Sequence, residues 1–152
     1  MNEWGIPPIE KIYEAFSAVA SERVKIIGEK AMVHSSDYKK EYTIEWHDNE
    51  YSSNDNASYY QGYLGYPVIA VLMLQNIIKY KPEIATYFKQ INWKKLNTKY
   101  KNKYAEVVEI ILNDLVSEGV NIEEIVAEVN NIYGQIKNLK LIYKRSRHLP
   151  PQ

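Results

Sequence analysis

The hydrophobic period of this chain switches once and then switches back. Ile9, Ile12, Tyr13, Phe16, Val19 and Ala20 recur at three-four spacing, residues 23–52 alternate apolar with polar, and beyond Pro67 the helical period returns. A strand sends successive side chains to opposite faces, whereas a helix brings every third or fourth residue to one face. A single period-two block between helical blocks therefore confines the recognisable strands to one local sheet. The polar breaks at Gly28-Glu29, Ser36-Asp37 and Asp48-Asn49 are short enough for hairpin turns. The expectation is an α+β domain with an antiparallel meander of three or four strands, one face on the core and the other in water.

The helical blocks supply the other layers. Pro7-Pro8 opens an amino-terminal helix within residues 1–22, since proline lacks only a donor that an initial helical position leaves unpaired anyway. Residues 53–91 hold a loop and helices. Pro67 starts one whose Val68 to Leu74 run is apolar on every side, the mark of a helix buried all round, and Pro82 starts a short one. From Asn92, Trp93, Leu96, Tyr100, Tyr104, Val107, Ile111 and Leu115 keep a helical stripe up to Gly119. Asn121 then caps a second stripe through Ile125, Val129, Ile132, Ile136, Leu139 and Tyr143. So brief a connection makes residues 92–148 an antiparallel helical hairpin, with residues 149–152 as a loose tail.

A chain of 152 residues fits one domain, which buries roughly 70% of its unfolded surface without a metal or disulfide staple. No cysteine is present, so disulfides, thiolate ligands and cysteine nucleophiles are excluded, and the composition suits a reducing compartment. The longest apolar run, Val68 to Leu74, falls far short of the ~20 residues a bilayer span needs, and the amino-terminal residues show no secretory signal. A cytoplasmic protein without a membrane partner is expected.

A formal net charge of zero hides a block pattern. Residues 94–103 carry five lysines and no acid, residues 104–136 seven acids and no base, and residues 137–147 five bases and no acid. Folded as a hairpin, the two basic blocks gather Lys95, Lys99, Lys103, Lys140, Lys144, Arg145 and Arg147 into one cationic tip. The acidic end lies ~30 Å away, beyond the reach of screened charge. Lysines in the opening turn of the first hairpin helix oppose its macrodipole at ~0.3 to 1 kcal/mol each, so helix stability does not account for them. The expected role is a non-catalytic binding module, its partner a nucleic acid or an acidic protein. Pairing of oppositely charged ends gives a further alternative, a homo-oligomer or a subunit of a protein complex.

Fourteen tyrosines against two phenylalanines form a second signal, with four of them between Tyr59 and Tyr66. Tyrosine joins an apolar ring to a hydroxyl and suits half-wet surfaces such as pockets. Asn54, Asp55 and Asn56 add groups that orient a sugar or a nucleobase. The alternative site is thus a pocket of Asn54, Asp55, Asn56, Tyr59, Tyr60, Tyr63 and Tyr66, with His47 nearby, in a small enzyme or a metabolite-binding protein.

Catalytic signatures are incomplete. His34, His47 and His148 have no second histidine at metal-ligand spacing, so neither a metal nor another cofactor is assigned. His47-Asp48 with Ser35, Ser36 or Ser52 has the residue types of a triad but no sequence-level geometry. Ser36-Asp37-Tyr38-Lys39 matches S-x-x-K without companion motifs, and Tyr133 with Lys137 matches Y-x-x-x-K without a dinucleotide-binding glycine turn.

Overall fold

The computed structural model describes residues 2–152 and has an α+β architecture. Helix α1 (Lys11–Ala20) leads into strands β1 (Val24–Ile27), β2 (Lys30–His34), β3 (Glu41–His47) and β4 (Glu50–Ser53). A π-helical turn (Ala57–Gln61) follows, then α2 (Tyr66–Leu74), α3 (Pro82–Thr86), α4 (Trp93–Lys99), α5 (Tyr104–Ser117), α6 (Ile122–Lys137) and β5 (Ile142–Tyr143).

The first four strands form the antiparallel meander in sequence order, with Ala31 opposite Ile44 and Trp46 opposite Tyr51. Ala31, Val33 and Ile44 point into the core, and their neighbours are partly or fully exposed. Helix α2 packs on this face and on α1. It is buried from Pro67 to Met73, so the all-round apolar run has the environment it requires. Phe16 of α1 and Phe88 stack at 5.6 Å, both fully buried, and the Ser17 hydroxyl donates to the Phe88 carbonyl at 2.6 Å. Regular helix begins at Lys11 rather than at the prolines, because Pro8 and Ile9 carbonyls first accept turn-type bonds from Lys11 and Ile12.

The expected hairpin over 92–148 needs correction at both ends. Lys101 and Asn102 adopt φ of 54° and 62°, a left-handed pair that ends α4 and lets α5 restart in a new direction. At the other end α6 stops at Lys137, and Ile142 and Tyr143 pair in parallel with Glu50 and Tyr51 as a fifth strand. Apolar spacing at Leu139 and Tyr143 fits a helix, but the exposed backbone edge of β4 offers hydrogen bonds that a longer helix would leave unmade. The helical hairpin is therefore α5–α6. It docks through Gln135, whose amide exchanges two bonds with the backbone of Lys79 at 2.7 and 2.8 Å, and through Tyr133, which donates to the Pro7 carbonyl at 2.8 Å. Glu128, one of the seven acids, is buried and accepts the Lys81 amide. Tail residue Leu149 is also held, by a 3.0 Å bond from Asn54 to its carbonyl.

Candidate ligand-binding cleft

The segment after β4 is shaped by one carboxylate. Asp55 accepts from the Ser53 hydroxyl and from the Ser58 amide at 3.1 Å, while the Ser58 hydroxyl accepts the Gly65 amide at 3.3 Å. Asp55 lies flat against Gly65, where an added Cβ would stand 2.0 Å from a carboxylate oxygen. Gly62 closes the π-helical turn at φ 73°. Gly5 pins the segment that follows, donating to the Gly62 carbonyl at 2.8 Å and accepting from the Leu64 amide at 3.3 Å. These contacts turn the tyrosine-rich stretch along one side of an open cleft of about 460 Å³.

Four other parts of the chain complete the cleft: Lys11 and Glu14 of α1, Ser35, Ser36 and Tyr42 of the β2–β3 region, Lys94, Asn97 and Thr98 of α4, and Tyr104 of α5. Lys11 and Glu14 form an ion pair at 3.3 Å with side chains only 11% and 8% exposed. The Asn97 amide reaches Glu14 at 3.4 Å, and the Lys11 ammonium sits 4.0 Å from the centre of the Tyr104 ring. Burial pushes the Glu14 carboxyl up, with Lys11 and Asn97 pulling back. Burial opposes the Lys11 ammonium, yet the Glu14 carboxylate together with Tyr104 and Tyr63 outweighs it, and the lysine is held above its ordinary value. Asp55 is likewise pushed up by burial, against the pull of Ser53 and Ser58. Burial raises Tyr42 to about 12 and carries Tyr66 higher still, so both phenols are neutral donors at physiological pH.

Of the seven pocket candidates, Asp55, Asn56, Tyr60, Tyr63 and Tyr66 line the cleft. Asn54 and Tyr59 do not. Asn54 is used by the fold, accepting the Thr43 amide at 2.7 Å, and Tyr59 faces away under the Arg145 guanidinium at 4.1 Å. His47 is also elsewhere, exposed beside Glu29 and Asp48. Lys11 and Glu14 escaped the sequence reading, which followed only the apolar stripe of their helix. A signal exists: within α1 the polar residues are Lys11, Glu14 and Ser17, three positions apart, a thin polar line on an otherwise apolar helix.

The basic residues do not form one pole. The Lys94 amide donates to Ser36 in the β2–β3 turn, whereas the Lys140 carbonyl accepts from Asn49 in the β3–β4 turn. These turns lie at opposite ends of β3, whose seven residues span ~20 Å. Sheet carboxylates also engage the carboxy-terminal block: Glu45 holds Arg147 through two bonds of 3.1 and 2.8 Å, and Glu50 stands 3.7 Å from Lys144. Lys95, Lys99 and Lys103 are exposed and take part in no ion pair among the described residues.

Among the described residues no group of three or more histidine, aspartate or glutamate side chains is placed to hold a metal, and no helix is long and apolar enough to cross a membrane. No curated protein and no solved structure matches the chain. Residues 4–142, which include every residue lining the cleft, match the model of the family described as Uncharacterised conserved protein UCP014422, and the chain belongs to that family.

Proposed function

We propose that this protein binds a small polar metabolite in the cleft between α1, α4 and the tyrosine-rich turn. The observation that carries the reading is the buried Lys11–Glu14 pair on the wall of an open cavity, with Asp55 buried alongside. Removing two charges from water costs several kcal/mol per ion, and a well-packed apolar pair is often the more stable solution. A fold retains such groups most readily where they meet a ligand, and perturbed ionisable groups beside a cavity are the usual physical sign of a binding site. The five lining tyrosines and the Asn56 and Asn97 amides suit a ligand rich in hydrogen-bonding groups. The same reading places the protein in the cytoplasm, in keeping with a chain that carries no cysteine.

A thermal-shift screen of polar metabolites tests this. At a hundredfold excess over its dissociation constant a true ligand stabilises the fold by about 2.7 kcal/mol. The expected hit loses its effect in both Tyr60→Ala and Lys11→Met. A screen in which every stabilising compound is indifferent to both substitutions defeats the proposal.

The unpaired lysines of α4 support a second reading, in which that helix binds a nucleic acid or an acidic protein surface. Its test is a gel shift with single- and double-stranded DNA and RNA at ~50 mM salt, with Lys95→Glu/Lys99→Glu as the control. Absence of any shift by the unmodified protein disposes of the nucleic-acid form.

A further inference from the structure

The electrostatics of the cleft are uneven from wall to mouth. On the inner wall each carboxylate already has partners: Lys11 and Asn97 serve Glu14, while the Ser53 hydroxyl and the Ser58 amide serve Asp55. Helix α4 runs from the β2–β3 turn, where the Lys94 amide meets Ser36 at 2.9 Å, inward to Asn97, which contacts Glu14. Lys94 itself is exposed and lines the cleft, so its ammonium belongs to the mouth. Behind it come Lys95, Lys99, Lys101 and Lys103, with no acid in the stretch and no ion pair among the described residues. Asp55 meets only neutral donors and lies buried on the inner wall, whereas at the lip Lys94 is the one cleft-lining cation without an ion pair among the described residues.

Tyr60 supplies a second feature. The residue lines the same cleft yet is 65% exposed, and its ring meets Tyr59 edge-on at 5.0 Å. A large aromatic held at a cavity wall without core burial offers an open face for stacking. We infer that the metabolite is a phosphorylated compound with a planar ring, the ring stacking on Tyr60 and the phosphate taken by Lys94 with the α4 lysines behind it. A nucleoside monophosphate is the simplest probe of this class. The inference rests on the cleft being a binding site and adds the chemistry of its occupant.

Calorimetric titration of the full chain with AMP, GMP, CMP and UMP, with each matching nucleoside and with inorganic phosphate, tests it at ~50 and ~200 mM salt. At least one nucleotide is expected to bind about tenfold or more tighter than its nucleoside, with the margin narrowing at the higher salt. Lys94→Gln, a change at an exposed side chain, should bring nucleotide and nucleoside affinities together while leaving the nucleoside's own affinity in place. Tyr60→Ala should weaken both alike. Equal affinities in the unmodified protein, no binding by any nucleotide, or a phosphate margin that survives Lys94→Gln overturns the inference. If a non-phosphorylated compound binds in a Tyr60- and Lys11-dependent way and no nucleotide does, the cleft reading stands and the phosphate assignment falls.

Discussion

Replacing Lys11 by methionine isolates the energetics of the cleft wall. The substitution nearly conserves volume, so its effect is electrostatic: Glu14 loses its partner at 3.3 Å, and the contact between the ammonium and the Tyr104 ring disappears. Stranding one member of a buried pair costs about 3 to 5 kcal/mol, a large part of the 5 to 15 kcal/mol that holds a domain together. Proton uptake limits that cost. Burial already raises Glu14 above its ordinary value of 4.5, and without Lys11 nothing of comparable strength opposes it. A carboxyl whose folded value exceeds its unfolded one contributes its stability at acid pH and loses it as pH rises through the folded value. The penalty in Lys11→Met should thus be greatest at pH 7 and shrink by up to about 1.4 kcal/mol per pH unit on the way to pH 5. Urea denaturation at pH 7, 6 and 5 reads this directly, and adding Glu14→Gln should recover most of the loss at pH 7 while keeping an acceptor for Asn97. A cost below about 1 kcal/mol, or a loss that ignores pH, would show that the pair does not bear on stability as its burial requires.

Three other substitutions have expected outcomes. Gly65→Ala places a methyl 2.0 Å from an Asp55 oxygen and should cost about 1 to 3 kcal/mol in chemical denaturation and abolish ligand-induced stabilisation, because the carboxylate must leave Ser53 and Ser58. Lys101→Gly distinguishes a left-handed break from a continuous helix: relief of strain at φ 54° should raise stability by roughly 0.5 to 1 kcal/mol, whereas a mid-helix site would lose about 1 kcal/mol. Gln135→Ala removes both bonds to Lys79 and should cost about 1 to 3 kcal/mol, with amide exchange accelerated in α6; unchanged exchange there would argue against this docking contact.

Local pattern carried much of this fold. The alternation at residues 23–52 and the polar breaks within it specify the meander because side-chain direction in a strand depends only on position parity. The apolar run after Pro67 announces a buried helix for an equally local reason. Most of the tyrosine-rich site was legible too, since Asp55, Asn56, Tyr60, Tyr63 and Tyr66 sit close in sequence and line one cleft. The opposite wall was not legible. Asn97 meets Glu14 across 83 positions, and no periodicity records which of two helices will lie beside the other.

Composition and period by themselves determined that this chain takes an α+β fold with a contiguous meander and a buried central helix, because burial of an apolar face is dictated by spacing along a few turns or strands. Three matters waited on tertiary structure: the left-handed pair at Lys101 and Asn102 that splits α4 from α5, the conversion of Ile142 and Tyr143 to a strand on the edge of β4, and the separation of the two basic blocks. Each depends on what the rest of the fold presents at that place, a free sheet edge, a neighbouring helix or a carboxylate. An apolar residue at helical spacing satisfies either outcome equally well. The cleft belongs with these, since its charge pair, its aromatic wall and its lysine lip come from five separate stretches of chain that only packing brings to one surface.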